Sequence, residues 1–272
     1  MVQLFGKCAK NGYDNLEDMS MQQALITICA RSDSDVTGEQ YFMRKVRGKE
    51  MPLYSFSAAR IFEAREKAIH VDYCLNTDCE ELIDLVQRRY PDTFIIRREG
   101  RLADVSVPKE DVYRDSLLKA ESRFNKKYDF LIDLDITSPF RRSFDIPRAV
   151  DLFLSDPDAD AVMSCVKSRR NPFYNMAMTG EGGYASRVIQ NEFTYSLQAP
   201  SCFDINASIY VVSRDFLINE MTFDLWQGKI RLYEMKDVGI LRMDRDVPTS
   251  FADLIASYCY DTDDGYKEVF KI

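Results

Sequence analysis

The chain has 272 residues, of which 46% are hydrophobic and 29% are charged. A chain of this size and composition buries an ordinary globular core and needs neither a metal nor disulfide bonds to fold. Its formal net charge of -8 argues against nucleic acid as a partner, because phosphate backbones are bound by clustered, unopposed Lys and Arg.

The cysteines, the histidine and the hydropathy pattern argue against further classes of protein and of functional site. The seven cysteines are scattered without a Cys-x-x-Cys pair, so neither a zinc site nor a disulfide framework is indicated, and a cytoplasmic location is expected. The single histidine, His70, argues against His-based catalysis. No apolar run approaches the roughly 18 residues of a membrane span, and the first residues lack a secretory signal pattern, so no membrane partner is expected.

Predicted strands and helices alternate along the chain. Residues 1–23 show no period and are interpreted as an N-terminal extension, and residues 24–272 as one folded domain. Apolar runs typical of buried strands lie at residues 24–29, 71–75, 94–96, 130–134, 161–166, 208–212 and 238–241. Helical patterns lie at residues 53–66, 79–90, 109–124, 146–154 and 250–258. This alternation predicts an α/β fold, with a mostly parallel twisted sheet flanked by helices.

A segment at about residues 172–204 interrupts the alternation. It contains adjacent glycines at 182 and 183, few apolar runs, and many aromatic and asparagine residues. We interpret it as a small lobe inserted into the domain.

Polar clusters follow three of the predicted strands, after Cys29, Leu75 and Leu134. In parallel sheets, ligands bind beyond the carboxyl ends of the strands. The first cluster, residues 30–35, reads Ala-Arg-Ser-Asp-Ser-Asp, in which Arg31 would bridge phosphate oxygens and the Ser34 hydroxyl would donate to them. As a pattern alone, an ordinary solvated loop explains this segment better.

Ordered segments resemble the acylneuraminate cytidylyltransferases. Residues 30–35 stand where that family has Ala-Arg-Ser-Gly-Ser-Lys, and residues 76–81 (Asn-Thr-Asp-Cys-Glu-Glu) where it has Ser-Thr-Asp-x-Glu-Glu. Residues 134–141 (Leu-Asp-Ile-Thr-Ser-Pro-Phe-Arg) resemble the Leu-Asp-Val-Thr-Ser-Pro-Leu-Arg of the branch acting on legionaminic-type and pseudaminic-type sugars. Further matches, which extend the resemblance over about residues 24–215, lie at residues 48–53, 98–103, 171–176 and 204–210.

The resemblance implies a fold, a reaction and partners. The fold is the Rossmann-like fold of the nucleotide-diphospho-sugar transferases. In the reaction, the anomeric hydroxyl of a nine-carbon 2-keto sugar acid attacks the α-phosphate of CTP, releasing pyrophosphate and forming a CMP-sugar. The resemblance also implies Mg²⁺ or another divalent cation as cofactor, CTP and a sugar acid as partners, and a homodimer joined through the inserted lobe.

The same resemblance assigns roles to individual residues. Arg31 and Asp135 are the expected catalytic residues. Those expected to bind the nucleotide are Ala30, Arg31, Ser32, Ser34, Asn76, Thr77, Asp78, Arg98 and Ala103. Those expected to bind the sugar are Asp135, Thr137, Ser138, Arg141, Gln198, Asn206 and Ser208. The expected metal ligands are Asp244 and Asp246, for which a charged surface turn and a second register, beginning at Asp246, stay open.

The chain departs from the family at charged positions. Asp35 stands where the family has a lysine, and a second family lysine falls near Gln40, so two cations expected beside the triphosphate are missing. Either Arg44, Lys45 or Arg47 replaces them, or Asp33 and Asp35 hold a metal. Residues 195–200 also lack the family's arginine pair, which is suited to a sugar carboxylate.

These departures leave three hypotheses open. The leading one is a CMP-sugar-acid synthetase of altered specificity, and the second is a catalytically impaired or nucleotide-sensing homologue. The third is another nucleotide-sugar-dependent transferase, because Asp133 and Asp135 also form an Asp-x-Asp metal pattern. The Asp-x-Asp signal alone is weak, and the competing expectation is that Asp133 simply alternates to the other face of its strand.

Overall fold

The computed structural model describes residues 21–32, 40–219, 224–236, 238, 241, 243 and 247–271. Its strands are β1 (Gln22–Ala30), β2 (Lys45–Val46), β3 (Lys49–Glu50), β4 (Ile69–Thr77), β5 (Phe94–Arg97), β6 (Phe130–Leu134), β7 (Ala161–Lys167), β8 (Ala177–Thr179), β9 (Ala185–Arg187), β10 (Phe203–Ser213) and β11 (Ile230–Glu234). Its α-helices are α1 (Pro52–Arg65), α2 (Glu80–Arg89), α3 (Lys109–Phe124), α4 (Asp145–Leu154), α5 (Arg214–Ile218), α6 (Thr249–Thr262) and α7 (Asp264–Lys271).

Seven strands form one central sheet in the order β11-β7-β10-β6-β1-β4-β5. Strand β10 pairs antiparallel with both β6 and β7, whereas the other neighbouring pairs are parallel. The predicted α/β class with a mostly parallel sheet is therefore confirmed. The carboxyl ends of the six mutually parallel strands all lie on one side of this sheet, which is called its carboxyl edge.

Helices cover both faces of the sheet, because alternate strand residues point to opposite sides. In β1, Ile26 and Ile28 belong to one buried cluster, with apolar residues of α1, α2, α4, α6 and α7. Leu25 belongs to the other cluster, with residues of α3 and α5. Removing such side chains from water stabilises the fold by about 1.5–3 kcal/mol each.

One predicted strand is wrong. Residues 238 and 241 lie in a turn, in which the Leu241 N–H donates to the Val238 carbonyl at 3.1 Å. The seventh strand is instead β11 (Ile230–Glu234), at the edge of the sheet. Because β11 is partly exposed and alternates apolar with polar residues, it lacks the continuous apolar run that identified the buried strands.

The expected N-terminal extension lies largely outside the described residues, and β1 already begins at Gln22. Between β7 and β10, the segment interpreted as a lobe contains the β8–β9 hairpin and two short 3-10 turns. Among the helices that the structure describes, none is long and apolar enough to span a membrane.

Candidate functional site

The candidate site lies where four parallel strands end. The strand register places Ala30 of β1 beside Thr77 of β4, and Thr77 beside Arg97 of β5. On the other side of β1, Thr27 pairs with Asp133 of β6. The loops after these strands, which carry most of the predicted nucleotide-binding residues, are therefore neighbours at one edge of the sheet.

A small cavity of about 90 Å³ opens at this edge. The two predicted catalytic residues, Arg31 and Asp135, both line it, together with the predicted ligands Ala30 and Thr137. Its remaining lining residues are Cys29, Tyr41, Phe42, Lys109 and Ile136. The structure thus brings together a cation and a carboxylate that are 104 positions apart in the chain, from β1 and β6 respectively.

The loop after β1 is anchored by the loop after β4. The Ser32 main-chain N–H donates to Asp78 Oδ1 at 2.7 Å. This contact fixes the direction in which the chain leaves Arg31, and it gives Asp78 a positioning role. Ser34, the next predicted phosphate ligand, lies outside the described residues.

Asn76 is fully buried and connects three elements. Its Nδ2 donates to Asp115 Oδ2 at 3.1 Å and to Ser116 Oγ at 3.0 Å, both on α3. Its Oδ1 accepts from Arg98 Nε at 3.0 Å. These contacts engage the Asn76 amide fully, so this residue holds Arg98 in place at the end of β5.

The two remaining predicted nucleotide residues lie close to this network. Thr77 is fully buried, and its hydroxyl accepts from the Cys79 N–H at 3.1 Å, just before α2. Ala103 ends the 3-10 turn after β5, where its N–H donates to the Gly100 carbonyl at 3.1 Å. Both therefore define the shape of the loops at this edge.

Asp135 is held by a tight turn at the end of β6. Its Oδ1 accepts from the Thr137 N–H at 2.7 Å and from the Thr137 hydroxyl at 2.5 Å. The Ser138 N–H donates to the Asp135 carbonyl at 3.3 Å, and Ser138 itself is buried. This turn directs the carboxylate of Asp135 toward the cavity without lengthening β6.

Arg141, a predicted sugar ligand, is completely buried. Its Nε donates to the Ser208 carbonyl at 3.0 Å and its Nη1 to Ser55 Oγ at 2.9 Å, while its Nη2 donates to the Asp135 carbonyl. With no exposed surface, this guanidinium does not reach a bound sugar. The structure gives it a positioning role beneath Asp135 instead.

The predicted sugar residues of β10 are also buried, at a bulge. Ala207 has a positive φ of 53°, which is strained for a residue with a side chain. Beside it, Asn206 Oδ1 accepts from Ser164 Oγ at 2.5 Å and from the Ser208 N–H at 3.1 Å. Asn206 and Ser208 are about 1% exposed, so they shape the floor of the site.

Gln198 lies apart from this group, in the lobe between β7 and β10. Its side-chain oxygen accepts from the Thr194 N–H at 2.8 Å and from the Tyr195 N–H at 3.3 Å. These contacts close a turn of the lobe. The side chain of Gln198 does not line the cavity formed by the described residues.

Lys109, which the sequence analysis passed over, reaches into the cavity from the first residue of α3. Its Nζ lies 2.6 Å from Asp133 Oδ2 and 3.8 Å from Asp135 Oδ2. Burial opposes the charge of this ammonium, but the two carboxylates outweigh burial and raise the pKa of Lys109 above its ordinary value. Asp133 and Asp135, the two acidic residues of the Asp-x-Asp pattern, therefore approach the same ammonium group.

A second, larger cavity of about 350 Å³ lies further along the same edge, at the end of β7. Three of its lining residues are cationic and one is acidic: Lys167, Arg169, Arg170 and Asp204. The sequence signal for it is the basic segment at 167–170 directly after a strand, which the sequence analysis did not use. A cavity of this charge suits an anionic ligand.

Among the described residues, the lining of the 90 Å³ cavity offers one carboxylate, that of Asp135, as a ligand for a divalent cation. Asp135 borders this cavity, and Mg²⁺ is commonly held by one or two carboxylates together with substrate phosphates. The donor set therefore fits Mg²⁺ bound chiefly by the substrate. The described residues contain no group of three His, Cys, Asp or Glu that would hold a metal by itself, and Asp244 and Asp246 lie outside them.

Two relatives identify the family. Post-translational flagellin modification protein B of Campylobacter coli is 35% identical over 204 residues, which are 75% of this chain and 83% of that protein. CMP-N,N'-diacetyllegionaminic acid synthase of Campylobacter jejuni is 30% identical over 204 residues, with the same coverage of both chains. The chain belongs to the acylneuraminate cytidylyltransferase family. The predicted resemblance is therefore confirmed, although no protein-family model matches the chain.

Solved structures show the same fold at low identity. CMP:2-keto-3-deoxy-manno-octonic acid synthetase, complexed with CTP, has a TM-score of 0.53 and 18% identity, covering 79% of this chain and 90% of that one. The 4-diphosphocytidyl-2C-methyl-D-erythritol synthase of Anaerococcus prevotii has a TM-score of 0.55 and 13% identity, covering 87% and 96%. This family member thus has the predicted nucleotide-diphospho-sugar transferase-like fold.

Proposed function

We propose that this protein is a cytidylyltransferase that joins CMP from CTP to a nine-carbon 2-keto sugar acid and releases pyrophosphate. The observation that carries the proposal is the meeting of Arg31 and Asp135 in one cavity at the carboxyl edge of the sheet. Family membership supports cytidine as the base, since one relative is named as a CMP-sugar-acid synthase.

In this reaction, the anomeric hydroxyl oxygen forms a bond to the α-phosphorus of CTP while the bond between that phosphorus and the oxygen bridging to the β-phosphorus breaks. Pyrophosphate leaves, and the hydroxyl proton passes to solvent. Such chemistry depends on positioning and charge neutralisation. Arg31 binds phosphate oxygens and stabilises the charge that passes to pyrophosphate. Asp135, with Asp244 and Asp246, would hold Mg²⁺, which would neutralise phosphate charge when bound.

The basic cavity at the end of β7 supports an acidic sugar as the second substrate. Lys167, Arg169 and Arg170 supply positive charge at this cavity, whereas residues 195–200 lack the family's arginine pair. Arginine binds a carboxylate with two parallel hydrogen bonds. We assign the sugar carboxylate to this cavity. It lies along the same carboxyl edge of the sheet as the cavity lined by Arg31 and Asp135, which is called the phosphate cavity below.

The lobe between β7 and β10 supports the homodimer. Its exposed apolar side chains include Leu197 (90% exposed), Tyr184 (82%), Tyr195 (55%) and Met178 (52%). Large apolar side chains exposed within one short lobe are a kind of surface that a partner chain can cover. In the proposed dimer, a second copy of the chain covers these side chains.

The test is pyrophosphate release from CTP with Mg²⁺ and a panel of nine-carbon 2-keto sugar acids. We expect Asp135→Asn to lower this activity by about 100-fold or more, the loss typical of removing one charged group from such a site. Thr137 can still donate to the amide oxygen, so the turn after β6 is preserved. Asp158→Asn is the matched control, because Asp158 is exposed and pairs with Lys229 on the surface.

Calorimetric titration with CTP, UTP, GTP and ATP separates the alternatives. CTP-selective binding together with pyrophosphate release supports the proposal. CTP binding without turnover on any sugar acid would instead favour a nucleotide-sensing homologue, which the missing loop lysines motivate. Preferential binding of UTP would favour another nucleotide-sugar-dependent transferase.

A further inference from the structure

The missing loop lysines pose a charge problem at the phosphate cavity. The chain carries Asp35 and Gln40 where cations are expected from the family pattern. A triphosphate is strongly anionic, and each unopposed phosphate charge raises the free energy of binding in a site of low dielectric. If CTP is bound here, a cation from another part of the fold is expected to face the phosphates.

The basic residues nearest to that loop in sequence point elsewhere. Lys45 pairs with Glu50 at 3.5 Å across the β2–β3 hairpin. The guanidinium of Arg47 lies 5.0 Å from the centre of the Phe270 ring, and Arg44 donates to a main-chain carbonyl just before α6 at 3.4 Å. None of these three lines the cavity that the described residues form around Arg31.

Lys109 does line this cavity, and its ammonium is held from behind. Asp133 is fully buried, and its Oδ2 accepts from Lys109 Nζ at 2.6 Å and from the Tyr113 hydroxyl at 2.8 Å. An ammonium group has three N–H bonds. Asp133 takes one of them and Asp135 lies 3.8 Å away, which leaves donor capacity directed at a ligand in the cavity.

The charges of the cluster explain why this lysine matters. Arg31 and Lys109 carry two positive charges, and Asp133 and Asp135 carry two negative ones. Without Lys109, the carboxylates would outnumber the cations beside an anionic substrate. With Lys109, the negative charge of the buried Asp133 is compensated, and Arg31 remains available to the phosphates.

We propose that Lys109 is a phosphate-binding residue of this site, which supplies from helix α3 the cation that the loop after β1 lacks. This inference rests on the proposed function, because it assumes that CTP occupies the cavity. The buried Asp133 and Tyr113 act as positioning residues, since they orient the Lys109 ammonium and do not themselves face the ligand.

The experiment compares CTP and cytidine binding in variants that keep the buried charge balanced. Lys109→Met alone would leave Asp133 as an uncompensated buried carboxylate and destabilise the fold. The double variant Lys109→Met with Asp133→Asn removes both charges. Asp133→Asn alone keeps the ammonium in the cavity, and Lys127→Met, at an exposed lysine just after α3, is the matched control.

We expect the double variant to bind CTP at least about 30-fold more weakly than Asp133→Asn alone, because these two proteins differ by one cation, and a charge pair at about 5 Å and an effective dielectric near 20 corresponds to roughly a hundredfold in affinity. Its affinity for cytidine, which has no phosphate, is expected to change by less than about twofold. Lys127→Met is expected to stay within about threefold of the wild-type protein for CTP, and Asp133→Asn alone, which keeps the ammonium, is expected to bind CTP more tightly than the double variant.

Two results would overturn the inference, and they are distinguishable. If wild-type protein binds CTP and the double variant binds it as tightly as Asp133→Asn alone, Lys109 is only a structural partner of Asp133, although the proposed function stands. If folded wild-type protein binds no CTP with or without Mg²⁺, the proposed function fails and this inference fails with it. A thermal melt of each variant shows that it is folded during the titration.

Discussion

Replacing Arg141 by methionine tests whether this arginine supports the site from below or contacts the sugar. Its guanidinium is completely buried and donates to Ser208, Ser55 and Asp135. Burial lowers the pKa of Arg141 to about 10, so it stays charged at neutral pH. Its removal therefore acts first on the stability of the fold.

The size of the effect follows from two opposing contributions. Three hydrogen bonds from a charged donor contribute about 1.5–3 kcal/mol each. Removing the buried charge also removes several kcal/mol of unfavourable desolvation free energy. The Asp135 carbonyl keeps a hydrogen-bond donor, because Ser55 Oγ lies 3.0 Å from it. We expect the free energy of unfolding to fall by about 3 kcal/mol, which lowers the melting temperature by about 6–12 °C.

Urea denaturation and steady-state kinetics measure the two roles separately. Arg88→Met, at an exposed position on α2, is the matched control and is expected to change the unfolding free energy by less than about 0.5 kcal/mol. The reasoning is refuted if Arg141→Met is as stable as wild type while the KM for the sugar acid rises tenfold and the KM for CTP does not change.

Three further predictions concern stability and assembly. Ala207→Gly removes the strain of a side chain at the positive φ of 53° in the β10 bulge. It is expected to raise the free energy of unfolding by about 0.5–1 kcal/mol. A lower urea midpoint in this variant would show that the backbone is not strained there. Burial lowers the pKa of Lys49 from 10.5 to about 8, so the unfolded chain binds more protons between these pH values and stability rises with pH there. Lys49→Met is expected to flatten this rise of the unfolding free energy with pH, measured by urea denaturation at several pH values. The same dependence on pH in wild type and variant would refute the prediction. Leu197→Asp is expected to convert the proposed dimer to monomer by light scattering, and a monomeric wild type at micromolar concentration would refute the dimer.

The buried strands could be predicted from sequence because burial on both faces requires a continuous apolar run. Strand β11 escaped prediction because an edge strand needs only one apolar face. The start of β10 also escaped. Its predicted run began at residue 208, whereas the strand begins at Phe203, because the bulge around Ala207 places polar residues inside the strand.

The location of the site could be predicted more fully than the roles of its residues. Loops after parallel strands meet at one edge, so motifs after β1, β4 and β6 had to be neighbours. Whether a motif residue contacts a ligand or supports one depends on burial, which is set by the whole fold. Asn76, Arg141 and Asn206 are buried for this reason, and Lys109 was overlooked because its partner Asp133 lies 24 positions later.

Several buried polar atoms beneath the candidate site reduce the stability of the fold. Asp133 Oδ1, Ser138 Oγ and Ser208 Oγ are buried there without a hydrogen-bond partner among the described residues. Leaving such groups unpaired costs about 1–3 kcal/mol each. A fold built for stability alone would place apolar side chains at these buried positions, so the layer beneath Asp135 is less stable than an apolar core of the same shape would be.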